Sequence, residues 1–200
     1  MNIFKKLFGN DANKKQKEGT EPKSPFLPEK KLPLDERFMT RFKGNGGKFL
    51  YCENMDDVFL NFESILSENN WLDLTVQLFD PFLKDRFQDF KLNIDESNKA
   101  GYLFTTCENL IADDGSVLIS SKQIGERKLS DLADNIIVFA TTSQMKNNIG
   151  ESLRDIKRCY GKNIPSNIQA LKHFEENKKD DFLTYGSSTK NLYLLLLEDL

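Results

Sequence analysis

Between Thr105 and Ser121 the chain reads TTCENLIADDGSVLISS, which sets a thiol, Cys107, among three acids, Glu108, Asp113 and Asp114. Carboxylates placed at a strand edge, where ligands of α/β proteins commonly sit, serve as general acids, general bases or nucleophiles. Glu108 and Asp113 are the candidates for such catalytic work. The same residues also describe an Asp-Gly turn with solvated acids, because Gly115 takes a positive φ that Asp114 tolerates less well. Both readings stand at this level. A thiolate at Cys107 is opposed by the neighbouring Glu108. The one histidine, His173, lies in a Lys/Glu-rich stretch unsuited to a catalytic base, which argues against a Cys–His pair and a histidine-rich metal site.

A second stretch with chemical potential is GSST, Gly186, Ser187, Ser188 and Thr189, followed by Lys190. A glycine, three hydroxyls and successive backbone N–H groups can cradle a phosphate or carboxylate, and they equally make an ordinary turn. Neither GxxxxGK[ST] nor GxGxxG occurs. GNGGK at residues 44–48 precedes a strand and so has the wrong order for a phosphate loop.

Periodicity describes the elements that must position these groups. ERFMTRF predicts a short helix stopped by the glycines at 44–47, and KFLYCE a strand buried on both faces. Asn54 with Asp57 gives a start signal of capping-box type for a helix over 55–68, whose apolar stripe is Val58, Phe59, Phe62, Ile65 and Leu66. LTVQLF (74–79) predicts a strand, and FLKDRFQDF after Pro81 a helix. GYLFTT is a strand, CENLIAD a turn or short helix, SVLISS a strand, RKLSDLAD a short helix and NIIVFAT a strand. Ser143 is the expected cap of a helix with the stripe Met145, Ile149, Leu153, Ile156 and Tyr160, ended by Gly161. FLTYGSSTKNLYLLLLEDL closes with a strand, a small-residue loop and a strand. Continuous apolar strands alternating with helices imply an α/β fold, a mainly parallel sheet flanked by helices.

Two hundred residues suit one domain with a tail. Residues 1–34 hold eight lysines against four acids, which leaves −7 on the remainder of a chain whose formal charge is −3. We read 1–34 as a basic, disordered arm and 35–200 as the α/β domain. So mild a charge gives no footprint for nucleic acid. Cys52, Cys107 and Cys159 are odd in number and form no CxxC pair, so neither an iron–sulfur cluster nor a structural zinc site is expected, and no cofactor is assigned. MNIFKKLFGN lacks a secretory h-region, and the longest apolar run, LYLLLL, is far short of a membrane span, so the expected location is cytoplasmic with no transmembrane segment.

TTCENLIADDGSVLISS, NIIVFATTSQMKNNIGESL and YGSSTKNLYLLLLEDL follow one another in an order and spacing that resemble the LUD-domain family, specifically its lactate-utilization protein C (YkgG-type) branch. Members carry a strand motif like TTAEYAIAETGTLVLSS, then IAVVPASQIV, then GPSRTADIE. The resemblance spans roughly Asp35 to the C-terminus. It implies a fold like the NagB/RpiA/CoA-transferase group and a role in a three-component system oxidising L-lactate to pyruvate. This chain would be its non-iron–sulfur member, with iron–sulfur and oxidoreductase subunits as partners.

Departures fall at the motifs. Asp113, Asp114, Gly115 and Ser116 replace Glu-Thr-Gly-Thr, Ser187 replaces the proline of GPS, and Asn191 and Leu192 stand where an acid is usual. The sequence therefore leads first to an accessory subunit in lactate or related organic-acid oxidation. It would bind a small anionic ligand or redox partner at Asp113–Ser116 and Gly186–Thr189. The alternatives are an autonomous enzyme using Glu108 or Asp113, and a degenerate scaffold whose basic arm recruits a partner.

Overall fold

The computed structural model describes residues 32–97, 99–172, 174 and 191–199. The expectations for residues 1–31, for His173 and for the strand and GSST loop before Asn191 lie outside the described residues.

Helix α1, Leu34–Gly44, places Asp35 and Glu36 in its first turn and Arg41 and Lys43 in its last, in accord with the helix dipole, and buries Phe38, Met39 and Phe42. Strand β1, Lys48–Cys52, follows. Helix α2, Met55–Glu68, starts at the expected cap, the Asn54 side chain accepting from Asp57 N at 3.0 Å; the return bond of a full capping box is displaced by one residue, the Asp57 carboxylate accepting from Glu53 N at 3.0 Å. Then come β2, Val76–Gln77, and α3, Pro81–Arg86, capped by Asp80. The chain continues through β3, Tyr102–Thr105; β4, Asn109–Ile111; β5, Ser116–Ile119; α4, Ser121–Ile124; β6, Asn135–Thr141; β7, Met145–Lys146; α5, Ile149–Tyr160; β8, Gln169–Leu171; and β9, Asn191–Leu197.

Five strands form one sheet in the order β1-β9-β6-β3-β2, every pairing parallel. This is the expected α/β architecture, a parallel sheet flanked by helices. Its two faces are equally dry. Tyr102, Phe104, Ile137, Phe139, Tyr193 and Leu195 join Val58, Phe62, Ile65 and Leu66 of α2 in one apolar cluster. The alternate positions Leu103, Ile136, Val138, Ala140, Leu192, Leu194 and Leu196 are also fully buried. Phe62 lies at the centre of the first cluster, with ring centroids 4.6 Å from Phe104, 5.0 Å from Phe87 and 5.2 Å from Phe90.

A second sheet, absent from the sequence expectation, has the order β7-β4-β5-β8 and is mixed: β4 and β5 form an antiparallel hairpin, and β7 joins β4 in parallel. CENLIAD is therefore not a turn or helix. Leu110 and Ile111 are buried and Asn109–Ile111 pairs with Ser116–Leu118, so packing overrides the local turn composition. Ser143 is likewise not the cap of the following helix. Thr142–Gln144 forms a single 3₁₀ turn, Met145 is drawn into β7 opposite Leu110, and Asn148 caps α5 by accepting from Glu151 N at 3.0 Å. The buried face of α5 is Ser152 and Ile156, while Ile149 and Leu153 stay exposed. Other elements shorten: LTVQLF yields two strand residues and RKLSDLAD one 3₁₀ turn, Leu129–Asp131. β1 is an edge strand and only its last residue, Cys52, is fully buried.

The position of Phe62 at the crossing of four rings gives a direct test. Phe62→Ala is expected to lower unfolding free energy by about 3–5 kcal/mol. On the same helix Leu60→Ala, at a side chain 63% exposed, should change it by no more than about 0.5 kcal/mol. Urea unfolding followed by circular dichroism measures both, and equal losses would contradict the assigned helix face.

Candidate functional site

β3 and β6 are neighbours in the parallel sheet, and their continuations β4 and β7 are neighbours in the second. The two chain segments therefore leave one sheet together and enter the other together. At the crossing, Cys107 and Glu108 follow β3, and Ser143 and Gln144 follow β6. Glu108 N still donates to Leu118 O of β5 at 2.7 Å, but the Cys107 and Glu108 carbonyls need partners from outside the ladders. Gln144 answers that need: its side-chain amide donates to Cys107 O at 2.7 Å and Glu108 O at 3.2 Å, and its carbonyl accepts from Thr141 N at 2.8 Å. Asn109 continues the link, donating to Gln144 O at 3.3 Å and accepting from Ser152 Oγ of α5 at 2.6 Å.

The divergence opens a cleft of about 430 Å³ between the crossover and the last turns of α5, lined by Glu108, Ser143, Lys146, Asp155, Arg158 and Tyr160 among others. It lies at the carboxyl ends of parallel strands, where α/β ligands commonly bind. Glu108 is half-buried. Its carboxylate accepts from Ser120 Oγ at 2.6 Å and from the Tyr160 hydroxyl at 3.0 Å. Ser120 is fixed in turn as the cap of α4, accepting from Lys122 N at 3.1 Å, while Gln123 Oε1 accepts from Ser120 N at 2.8 Å. Asp155 on the α5 side pairs with Lys146 at 3.3 Å and with Arg158. Burial raises the Asp155 carboxyl, but the Lys146 hydrogen bond and the two cations outweigh it and hold the group below the usual range. Asp199, beyond β9, accepts from Thr142 Oγ1 at 2.9 Å, Ser143 N at 2.9 Å and Ser143 Oγ at 2.7 Å, tying the end of β9 to the same crossover.

Of the candidate catalytic and ligand-binding residues in the stretch Thr105–Ser121, Glu108 lines this cleft, and Asp113, Asp114, Gly115 and Ser116 do not. They form the β4–β5 turn. Asp114 Oδ1 accepts from Ser116 N at 3.1 Å and Ser116 Oγ at 2.7 Å, and its other oxygen meets Lys172 at 3.5 Å. The half-exposed carboxylate of Asp113 faces Arg37 of α1 at 3.8 Å. Gly115 has φ +70°, and a Cβ there would stand 2.4 Å from the backbone of Arg41 and Phe42, so only glycine lets the turn rest on α1. Gly186, Ser187, Ser188 and Thr189 lie outside the described residues, and the strand they lead into starts at Asn191, beside Asn135.

Cys107 is buried, and burial followed by the adjacent Glu108 charge pushes its thiol up, away from nucleophilic use. Cys159 is exposed on the cleft rim. Ser120, Gln144 and Asn109 were not singled out in the sequence. Ser120 with Gln123 carries a legible capping-box spacing, whereas Gln144 and Asn109 carry no local signal, since their roles exist only once two sheets meet. Among the described residues no group of three or more His, Cys, Asp or Glu side chains is arranged to hold a metal ion.

Tyr160 gives the site a measurable signature. Burial, then the Glu108 charge and hydrogen bond, push its phenol up to about 12. The folded state thus keeps a proton that the unfolded chain releases near pH 10. The associated stability is present below about pH 10 and is lost as pH rises through about 12. The difference in tyrosinate absorbance between the protein and Tyr160→Phe should show a group ionising near 12. Ionisation near 10 would contradict the Glu108 contact.

No protein-family model matches the chain, and no curated protein matches it. Among solved structures the chain is similar to the crystal structure of a DUF162 family protein from Deinococcus radiodurans. The two are 11% identical with a TM-score of 0.59, over 83% of this chain and 96% of that one. At that identity the likeness shows a shared fold.

Proposed function

We propose that this chain is an accessory component, with no iron–sulfur cluster of its own, in the oxidation of L-lactate or a related organic acid. It holds a small anionic ligand or a redox partner at the strand-end cleft. The observation that carries the reading is the cleft itself: a fixed carboxylate, Glu108, stands in the same 430 Å³ space as the cations Lys146 and Arg158. The fold likeness to a DUF162 family protein, a LUD-domain-like family, supports it, as does the order of the three sequence motifs that resemble the lactate-utilization branch. In this proposal the site is the Glu108 cleft. The turn Asp113–Ser116 braces β4 and β5 against α1, and the anion contact expected of Gly186–Thr189 lies outside the described residues. Residues 1–34 form a basic arm ahead of the domain over 35–200, and the protein works in the cytoplasm. Among the described residues no helix is long and apolar enough to cross a membrane.

Purification of the tagged full chain from its own cells, followed by mass spectrometry and visible absorbance, tests the reading. Iron–sulfur and oxidoreductase chains should co-purify, and deletion of residues 1–33 should reduce their capture while the melting temperature stays nearly constant. Recovery of the chain alone contradicts the accessory role.

A second reading, an autonomous carboxylate-using enzyme, is favoured by one observation: Glu108 faces a cleft and is oriented by two hydroxyls. It requires the purified chain, without partners, to catalyse a group transfer or an isomerisation of an organic acid, and Glu108→Gln to remove that turnover. An inactive isolated chain contradicts it.

A further inference from the structure

The charges around the cleft are not matched in place. Asp155 carries two cations, Lys146 and Arg158, so the α5 side has one positive charge in excess. The Arg158 side chain is 78% exposed, and Asp155 is the one carboxylate it meets among the described residues, which leaves guanidinium N–H groups for a planar anion. Glu108 is the opposite case. Among the described residues no cation lies within ion-pair distance of it, and its donors are the Tyr160 hydroxyl at 3.0 Å and Ser120 Oγ, which is nearer to Glu108 at 2.6 Å than to its other acceptor, Gln123 Oε1, at 3.0 Å. That wall therefore offers a ligand acceptor lone pairs and a negative charge. Covering a half-buried carboxylate costs free energy unless the incoming group supplies a hydrogen. A keto oxygen or a methylene cannot do so; a hydroxyl or an ammonium can.

We infer that the cleft selects small acids that rest their carboxylate on Arg158 and direct a hydrogen-bond donor at C2, a hydroxyl or an ammonium, to Glu108. The selectivity rests on the reading of the cleft as the ligand site. Its consequence is that the reduced, hydroxyl-bearing form of an organic acid is held and its keto form is released. Such a cleft would favour binding before oxidation and dissociation after it. Tyr160 and Ser120 are positioning residues: they consume their own protons on Glu108 and thereby make the wall acceptor-only.

Four three-carbon probes that differ only at C2 test this on the full chain by titration calorimetry or ligand-observed NMR. L-Lactate and L-alanine should bind at least about tenfold tighter than pyruvate and propionate, the difference one charged hydrogen bond supports. Glu108→Gln, whose amide can donate to a keto oxygen, should bring lactate and pyruvate to within about twofold of each other. Arg158→Ala, at an exposed position, should weaken all four alike. Equal binding of lactate and pyruvate to the unaltered protein, or a preference that survives Glu108→Gln, overturns the selectivity while leaving the cleft as the binding site. Failure of all four probes to bind overturns both the selectivity and the cleft reading.

Discussion

Two adjacent parallel strands leaving one sheet for another is the constraint on which the rest of the molecule depends. Backbone N–H and C=O groups at such a crossing lose their ladder partners, and leaving them unpaired in a protein interior costs about as much as a lost hydrogen bond each. One glutamine resolves it. Gln144 donates to two carbonyls of the β3–β4 crossing and accepts from the end of β6, while Asn109 and Ser152 extend the link into α5. The cleft exists because the strands part there, and it keeps its shape because the polar groups around the parting are bonded to one another.

The same geometry explains the chemistry. Glu108 lines the gap three residues after the end of β3, and its backbone N–H is already committed to Leu118 O at 2.7 Å. With the main chain held, two hydroxyls from different elements, Ser120 before α4 and Tyr160 at the end of α5, set the carboxylate. Two separate segments therefore converge on one acid. The acids of the β4–β5 turn serve a different purpose: Asp113 and Asp114 engage Arg37, Lys172 and their own backbone, and Gly115 seats the turn on α1. The stretch Thr105–Ser121 thus holds both a site residue, Glu108, and a structural turn that begins five residues later at Asp113.

Much of this was legible before any coordinates. The helix over 55–68 was announced by Asn54 and Asp57 and by a stripe at helical spacing, and the parallel sheet by the unbroken apolar runs at 136–140 and 192–197. These signals are local, and burial on both faces leaves no alternative periodicity. The second sheet was not legible. β4, β7 and β8 are two or three residues long, too short for a period, and they are strands only because each finds a neighbour. The site shared that fate in part. Glu108 was a candidate on residue type alone, but its distinction from Asp113 and Asp114 depends on which side of the crossover each falls. Nothing in the spacing of Gln144 marks it as the residue that binds two strand ends together.

The most direct test is to map backbone amide shifts of the full-length protein on titration with L-lactate. The account predicts that perturbations converge on three separated segments, 107–109, 143–146 and 155–160, with Glu108 and Arg158 among the affected amides. Shifts confined to 113–116, or no shift in any of the three segments, would contradict it.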